Sequence, residues 1–424
     1  MLVVDDHPTI VKGLKSHFQD SFDVVGATTA AEAECIASKR DFAVAIVDVF
    51  IRNENGIDLA KRLAKIRPNM GIVMYTSSPQ VFYSTPDVVA DACCDKGTPM
   101  SALGEIIGQV VWLRKQPRET RRIFQELQGE CSHAISTIAV TGEKDVQRFD
   151  FRLRGEEVAA LAVYTNPSAE EGRIIICPAT TVGCIGHCKV CVSGDRPYQK
   201  QLSAKEILGE ILEGLRSSLA RSLFEHSGRL TVNFCGQGEP LSNLDNVCRV
   251  IEIMRNLTGI GNIEFIITTI GLRKGLEKFL QKYRHLCGRV KFYWSVNFLD
   301  ERKRAHYMPG TRKQSLLASR EILEQIAVAG KSLVTFSWVL IKGINDSDLD
   351  ADQVAEFLIG RPFEVKVMAL GKGSLVGVPD VTDQDVLAFA EKLRTRGLRV
   401  RTRTVLGGSI DAGCGSTRPR CGWD

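Results

Sequence analysis

The 424-residue chain lacks any run of about 18 consecutive apolar residues, which excludes a transmembrane helix of ordinary length. Its start, MLVVDDHPTI, has neither a basic segment nor a small-residue cleavage site, so no secretory signal is expected and a cytoplasmic location is. Low-complexity linkers and repeats of solenoid period are absent too. With 44% hydrophobic and 25% charged residues, the composition is not that of a disordered chain. Net charge is small at +5, with 12 basic against 14 acidic residues up to Gln116 and 43 against 36 beyond it. Such an excess permits nucleic-acid contact without requiring it, because surplus Lys and Arg ordinarily solvate a surface. Cysteine is not scarce. Thirteen cysteines, clustered and without an export signal, point to metal or redox chemistry rather than a disulfide framework. The length allows two domains, or one large barrel with an appendage.

Residues 1–116 alternate short apolar runs with amphipathic segments. The runs 1–4, 22–27, 42–49, 70–76 and 90–96 read as buried strands, with helices over 56–66 and about 100–115. This alternation predicts a doubly wound parallel sheet, whose ligands sit beyond the C-terminal strand ends. Asp5, Asp6, Asp48, Thr76 and Lys96 all fall at those ends. Three carboxylates suit an oxygen-liganded Mg²⁺, Asp48 can attack a phosphoryl group, and Thr76 and Lys96 can hold its oxygens. Any one of the five alone reads as a loop residue. Together, VDDHP, the VDV strand carrying Asp48, Gly56 and the DKG at 95–97 resemble the receiver domain of response regulators, a flavodoxin-like fold. The resemblance implies phosphorylation of Asp48 by a sensor histidine kinase or phosphotransfer protein. Arg52 stands where receivers usually have Pro, and Cys93 where many have an aromatic residue.

Residues 117–150 read as a short helix and an irregular connector. Residues 151–424 are expected to form a second unit, in which the alternation resumes at longer spacing from about 173. Strands are expected at 173–179, 230–236, 263–271, 290–297, 333–341, 363–370 and 398–406, with helices such as 204–220 and 383–397. Seven strands with helical crossovers predict a partial (β/α) barrel that works at the C-terminal ends of its strands. In the loop after the first of them, Cys184, Cys188 and Cys191 form a C-x₃-C-x₂-C triplet. Three thiolates at that spacing suit three irons of a [4Fe–4S] cluster and leave one iron open. Zinc is the alternative, although structural zinc takes four ligands, usually in paired C-x₂-C form, and His187 is expected to point away.

The triplet at the start of a barrel, with Gly238-Glu239-Pro240 after a later strand, resembles the radical S-adenosylmethionine (SAM) superfamily. Cys177 lies seven residues before Cys184, and Cys414 sits near the C-terminus. Each alone would read as a buried core thiol. With GQGEPL (236–241) and VLIKGINDS (339–347), they make residues 150–416 similar to the 23S rRNA adenine-C2 methyltransferases and the related adenine-C8 enzymes. The resemblance implies that one SAM methylates Cys414. A second SAM is then reductively cleaved to a 5′-deoxyadenosyl radical that takes hydrogen from this methyl group. The resulting carbon radical adds to adenine, and Cys177 helps to resolve the crosslink by thiol chemistry. SAM contacts map to Gly238, Glu239, Thr268, Ser295, Val296 and Asn297. Implied partners are RNA (rRNA or tRNA) and an electron donor such as flavodoxin, with no membrane.

The chain departs from that family at several positions. A receiver replaces the helical RNA-binding domain, and Ala159 aligns with the strand glutamate that accepts a proton. Lys200-Gln201-Leu202 replaces Arg-Asn-Leu, and Gly373 aligns with an Asn that contacts SAM. Ser409 and Gly413 replace Asp and Ala, and Val190 replaces an aromatic residue. The leading expectation is therefore a phosphorylation-linked radical SAM methyltransferase of an sp² carbon, adenine in RNA. The alternatives are a radical SAM enzyme acting on a small molecule or peptide, and a non-catalytic SAM- or redox-sensing output module.

Overall fold

The computed structural model describes residues 1–85, 89–115, 121–122, 126–127, 135–143, 146–153, 158–166, 173–216, 229–257, 262–371, 375 and 377–403. At the N-terminus lie β1 (Leu2–Val4), β2 (Val25–Ala27), β3 (Val44–Val47), β4 (Phe50–Ile51), β5 (Glu54–Asn55), β6 (Gly71–Thr76) and β7 (Ala92–Asp95). Five of these make a parallel sheet in the order β2-β1-β3-β6-β7, while β4 and β5 pair as a small hairpin. Successive strand residues point to opposite faces, and both faces are apolar here. Val4, Val47 and Met74 enter one core, and Val3, Ile46 and Val73 the other. Helix Gly56–Ile66 spans the expected residues, its first turn held by the Asn55 side chain accepting from the Ile57 N–H at 2.8 Å.

The second sheet has ten strands: β8 (Ile135–Glu143), β9 (Val146–Leu153), β10 (Val158–Asn166), β11 (Arg173–Cys177) and β14 (Arg229–Phe234), followed by β15 (Ile263–Thr269), β16 (Val290–Ser295), β17 (Val334–Leu340), β18 (Phe363–Ala369) and β19 (Val400–Arg403). Between β11 and β14 the two-residue strands β12 (Thr181–Val182) and β13 (Lys200–Gln201) pair with each other. From β11 to β19 seven strands run parallel in chain order, as expected of a partial barrel.

Residues 135–143 and 146–150 correct the sequence reading. They are not an irregular connector: β8 and β9 are antiparallel strands that, with β10, extend the barrel sheet, and the expected boundary at 151 falls inside β9. The alternation was masked by charge. Phe149, Phe151 and Leu153 enter the core from one face of β9. Arg148 and Asp150 lie on the other, fully buried and ion-paired at 2.8 Å, so residues that read as solvent-facing are interior.

The barrel core lies between the sheet and its outer helices. Trp294 and Trp338 are its largest buried side chains, and Trp294 meets Phe336 edge-on at 5.8 Å. The receiver packs against this unit. Its last helix, Met100–Arg114, lies on β8, Leu113 joins the barrel core, and the Thr98 hydroxyl donates to the Thr137 carbonyl at 3.3 Å. Among the described residues no helix is long and apolar enough to cross a membrane.

Candidate active site and phosphoacceptor pocket

Asp5 and Asp48 end up buried because each directly follows a buried strand, β1 or β3. Lys96, after β7, reaches between them, its Nζ 2.7 Å from Asp5 Oδ2 and 2.6 Å from Asp48 Oδ2. Burial works against the ammonium, but the hydrogen bonds and charges of Asp48 and Asp5 prevail and raise its pKa above the ordinary lysine value. Asp6 Oδ2 accepts from the Arg52 N–H at 3.1 Å, and Arg52 adopts a left-handed φ of 51°. Thr76 is buried at the end of β6, its hydroxyl accepting from the Ser78 N–H. The structure therefore brings Asp5, Asp48 and Lys96 into direct contact at the strand ends. Two buried carboxylates here share one ammonium, and Asp6 adds a third carboxylate next to Asp5 in the chain, an oxygen-rich donor set that fits a hard divalent cation. Among the described residues Asp5, Asp6 and His7 also place three ligand atoms within 4.8 Å of one another.

A second site opens at the C-terminal ends of the barrel strands. One cavity is lined by Cys184, Cys188 and Cys191, and by Gly238, Glu239, Thr268, Ser295 and Asn297. The triplet loop is held between β12 and β13. The sulfurs of Cys184 and Cys188 flank Gly186, whose N–H lies 3.4 Å from Cys184 Sγ and whose carbonyl lies 3.6 Å from Cys188 Sγ. Burial pushes the Cys184 thiol up to about 12, with the charges of Glu239 and Cys191 adding to it, and burial followed by the charges of Cys191, Cys184 and Glu239 raises Cys188 well above the ordinary thiol value. Thiols so crowded resist ionisation until a metal supplies positive charge, so the donor set fits a thiolate-ligated group. His187 is exposed, with Nδ1 3.3 Å from the Gly194 carbonyl.

Glu239 is the charged floor of this cavity. It follows β14 and is 3% exposed. Its carboxylate accepts from the Ile270 N–H at 2.9 Å, the Leu241 N–H at 3.1 Å and the Thr269 hydroxyl. Burial outweighs these three bonds and lifts its pKa to about 7. Gly238 precedes it with φ +98°, and a Cβ there would stand 2.0 Å from Thr181 Oγ1, so only glycine turns the chain at this point. The Thr268 hydroxyl donates to Asn233 Oδ1 at 2.8 Å. Asn297, at φ 57°, is fixed by its Oδ1 accepting from the Val339 N–H at 2.9 Å and by its carbonyl accepting from Asn345 Nδ2 at 2.9 Å.

The Val296 side chain does not line this cavity. It is fully buried in the barrel core, because strand alternation turns it away from the face shared by Ser295 and Asn297. Two residues escaped the sequence reading. Arg304, 3% exposed, braces the site by donating to the carbonyls of Ile270 (3.1 Å) and Val296, and burial lowers its pKa to about 10. In ERKRAHY it resembles any charge on a solvated helix. Cys235 lies 3.5 Å, sulfur to sulfur, from Cys177 and lines the cavity; its position at a strand end just before GQGEP was the available signal. Cys414, Ser409, Gly413 and Gly373 lie outside the described residues, as does the side chain of Ala159.

Comparison with known proteins agrees with this architecture. Residues 1–94 match the response regulator receiver domain and residues 179–353 the radical SAM superfamily. A probable dual-specificity RNA methyltransferase RlmN from Koribacter versatilis is 29% identical over 246 residues, 58% of this chain and 69% of that protein. The dual-specificity RNA methyltransferase RlmN of Syntrophobacter fumaroxidans is 29% identical over 297 residues, 68% of this chain and 82% of its own. The crystal structure of a radical SAM methyltransferase from Sphaerobacter thermophilus superposes with a TM-score of 0.60 at 21% identity, covering 72% of this chain and 87% of that one. The chain thus joins an N-terminal response regulator receiver domain to a radical SAM domain.

Proposed function

We propose that this chain is a radical SAM methyltransferase that modifies an sp² carbon, adenine in RNA, under control of Asp48 phosphorylation. The observation that carries the reading is the meeting of Cys184, Cys188, Cys191 and Glu239 in one cavity at the strand ends, with Cys177 ending β11 beside Cys235, a lining residue. The RNA methyltransferases named among its relatives support the substrate class. An electrophilic methyl donor alone cannot methylate an aromatic amidine carbon, a poor nucleophile, which is why thiol and radical chemistry belong together here.

In this reading Cys184, Cys188 and Cys191 would hold a [4Fe–4S] cluster, which when bound would supply one-electron reduction of SAM. Glu239 receives the methionine ammonium, its buried carboxylate gaining the counter-charge it lacks. Thr268, Ser295 and Asn297 orient the rest of the nucleoside through hydrogen bonds, while Gly238 lets the backbone come close. Cys414 carries the methyl group, and Cys177 resolves the enzyme–substrate crosslink with its thiol. A low-potential donor such as flavodoxin supplies electrons.

In the receiver, Asp5, Asp6 and Asp48 would hold Mg²⁺, which offsets phosphoryl charge. Asp48 is the nucleophile, and Thr76 and Lys96 bind the phosphoryl oxygens, with a histidine kinase or phosphotransfer protein as donor. The contact of helix Met100–Arg114 with β8 offers a route by which that event biases the barrel. One observation favours a second reading, a small molecule or peptide as substrate: a receiver occupies the place of the family's RNA-binding domain.

The test is anaerobic reconstitution with iron and sulfide, then reaction with dithionite and methyl-labelled SAM, and mass spectrometry of the Cys414 peptide. A methyl group on Cys414, absent from Cys414→Ala, is expected. Formation of 5′-deoxyadenosine with Cys414 never methylated would overturn the methyl-carrier reading.

A further inference from the structure

We propose that Cys177 and Cys235 form a reversible dithiol–disulfide pair at the edge of the barrel cavity. Parallel pairing sets the geometry. β11 and β14 are neighbours in register Ile176↔Val232, which puts Cys177 beside Asn233. Past Phe234 the chain turns back on itself, the Cys235 N–H donating to the Asn233 carbonyl at 2.7 Å, and this returns Cys235 toward the end of β11. The two strand ends then touch through their backbones. The Gly236 N–H meets the Pro178 carbonyl at 3.3 Å. A Cβ at Gly236 would lie 2.5 Å from the Cys177 carbonyl oxygen and 2.7 Å from that of Pro178. Glycine at 236 is thus what permits the approach, and the approach leaves the two sulfurs 3.5 Å apart, Cys235 donating to Cys177.

Closing that gap to a bonded sulfur distance takes about 1.5 Å of motion, within reach of modest side-chain rotation on two fixed strand ends. The thiols differ in access. Cys235 lines the cavity and is half-buried, whereas Cys177 is 5% exposed. Attack by an oxidant therefore begins at Cys235, and Cys177 completes it.

With glutathione disulfide as oxidant, the Cys235 thiolate attacks one glutathione sulfur and expels the other glutathione as thiolate. The Cys177 thiolate then attacks the Cys235 sulfur of this mixed disulfide and expels the second glutathione. Two protein thiols are oxidised, one small disulfide is reduced to two thiols, and the two cysteine protons pass to the departing thiolates. The product ties β11 to β14 and withdraws the Cys177 thiol from any reaction in the cavity. This pair is a property of the two strand ends and does not rest on the methyl-transfer reading.

The test equilibrates the full chain anaerobically in buffers spanning reduced to oxidised glutathione, alkylates the remaining thiols, digests with trypsin and maps the linkages. Peptides 174–189 and 230–249 each carry further cysteines, so the joined sulfurs are assigned by fragmentation. The expected result is a Cys177–Cys235 crosslink, lighter by two hydrogens, that accumulates with oxidised glutathione and disappears on addition of dithiothreitol. In Cys235→Ser, a near-isosteric change, Cys177 is expected to stay alkylatable or to be recovered only as a glutathione adduct. Alkylation of both cysteines across the whole range would overturn the proposal. So would pairing of Cys177 with a triplet cysteine or with Cys414 while Cys235 stays free. The wild-type measurement needs no variant to fold and reads linkage rather than turnover.

Discussion

Replacing Glu239 with glutamine is expected to stabilise the metal-free barrel above neutral pH, although it removes a carboxylate from the candidate active site. The buried carboxylate has a folded pKa of about 7 against an ordinary value of 4.5. Below pH 4.5 it is protonated in both folded and unfolded chains and contributes no penalty. Between 4.5 and 7 the unfolded chain ionises first, and stability falls as pH rises. Above 7 the penalty is complete, and a shift of this size corresponds to about 3 kcal/mol. The group is almost fully buried, so solvent screening takes little from that figure.

The assay is urea unfolding of wild type and Glu239→Gln at pH values from about 4.5 to 8, followed by the fluorescence of Trp294 and Trp338, both in the barrel core. The stability difference between the two proteins is expected to grow by about 3 kcal/mol across that range in favour of the variant. Taking this difference cancels the titration of distant groups. Added SAM is expected to shrink it, because the methionine ammonium supplies the missing counter-charge to wild type alone. A difference that stays flat with pH would refute a desolvated Glu239. One that ignores SAM would refute its role as the ammonium receptor.

Single alanine replacements of Cys184, Cys188 or Cys191 are each expected to abolish retention of a full complement of iron and sulfide after reconstitution. Full colorimetric iron content in any one of them would remove that residue from the ligand set. Gly238→Ala forces a side chain into φ +98° and against Thr181. It is expected to cost about 1–3 kcal/mol in a urea titration and to weaken SAM binding by calorimetry. Asp48→Asn is expected to eliminate phosphoryl incorporation from acetyl phosphate, and persistent labelling would place the phosphoacceptor elsewhere. Lys96→Met leaves the buried carboxylates of Asp5 and Asp48 facing each other without their shared cation. A loss of about 3 kcal/mol in receiver stability is expected, partly restored by Mg²⁺.

Much of this protein was legible because its chemistry sits in local patterns. Strand period and strand-end position placed Asp5, Asp48 and Lys96 together before any contact was visible. The spacing of Cys184, Cys188 and Cys191 likewise marked one loop as a candidate ligand loop, and the structure sets all three on one cavity. Helix Gly56–Ile66 could be read from the periodicity of its own residues, since nothing distant overrides that pattern. β8 and β9 could not. In β9 the alternate charges look solvated in sequence, and only the tertiary structure shows Arg148 and Asp150 ion-paired inside the protein.

Long-range packing decided the rest. Arg304 acquires meaning from two carbonyls, at Ile270, far from it in sequence, and at Val296, just past the preceding strand. Val296 has the right neighbours in sequence, but alternation turns its side chain into the core. Cys177 and Cys235 stand 58 residues apart in the chain, and only parallel pairing of β11 with β14, plus a glycine small enough for the backbones to meet, puts their sulfurs side by side. Sequence alone thus determined which residue types occupy the strand ends. Tertiary structure decided which of them share a cavity, because adjacency across a sheet depends on register and on what a Cβ would strike, and neither is written in any one segment.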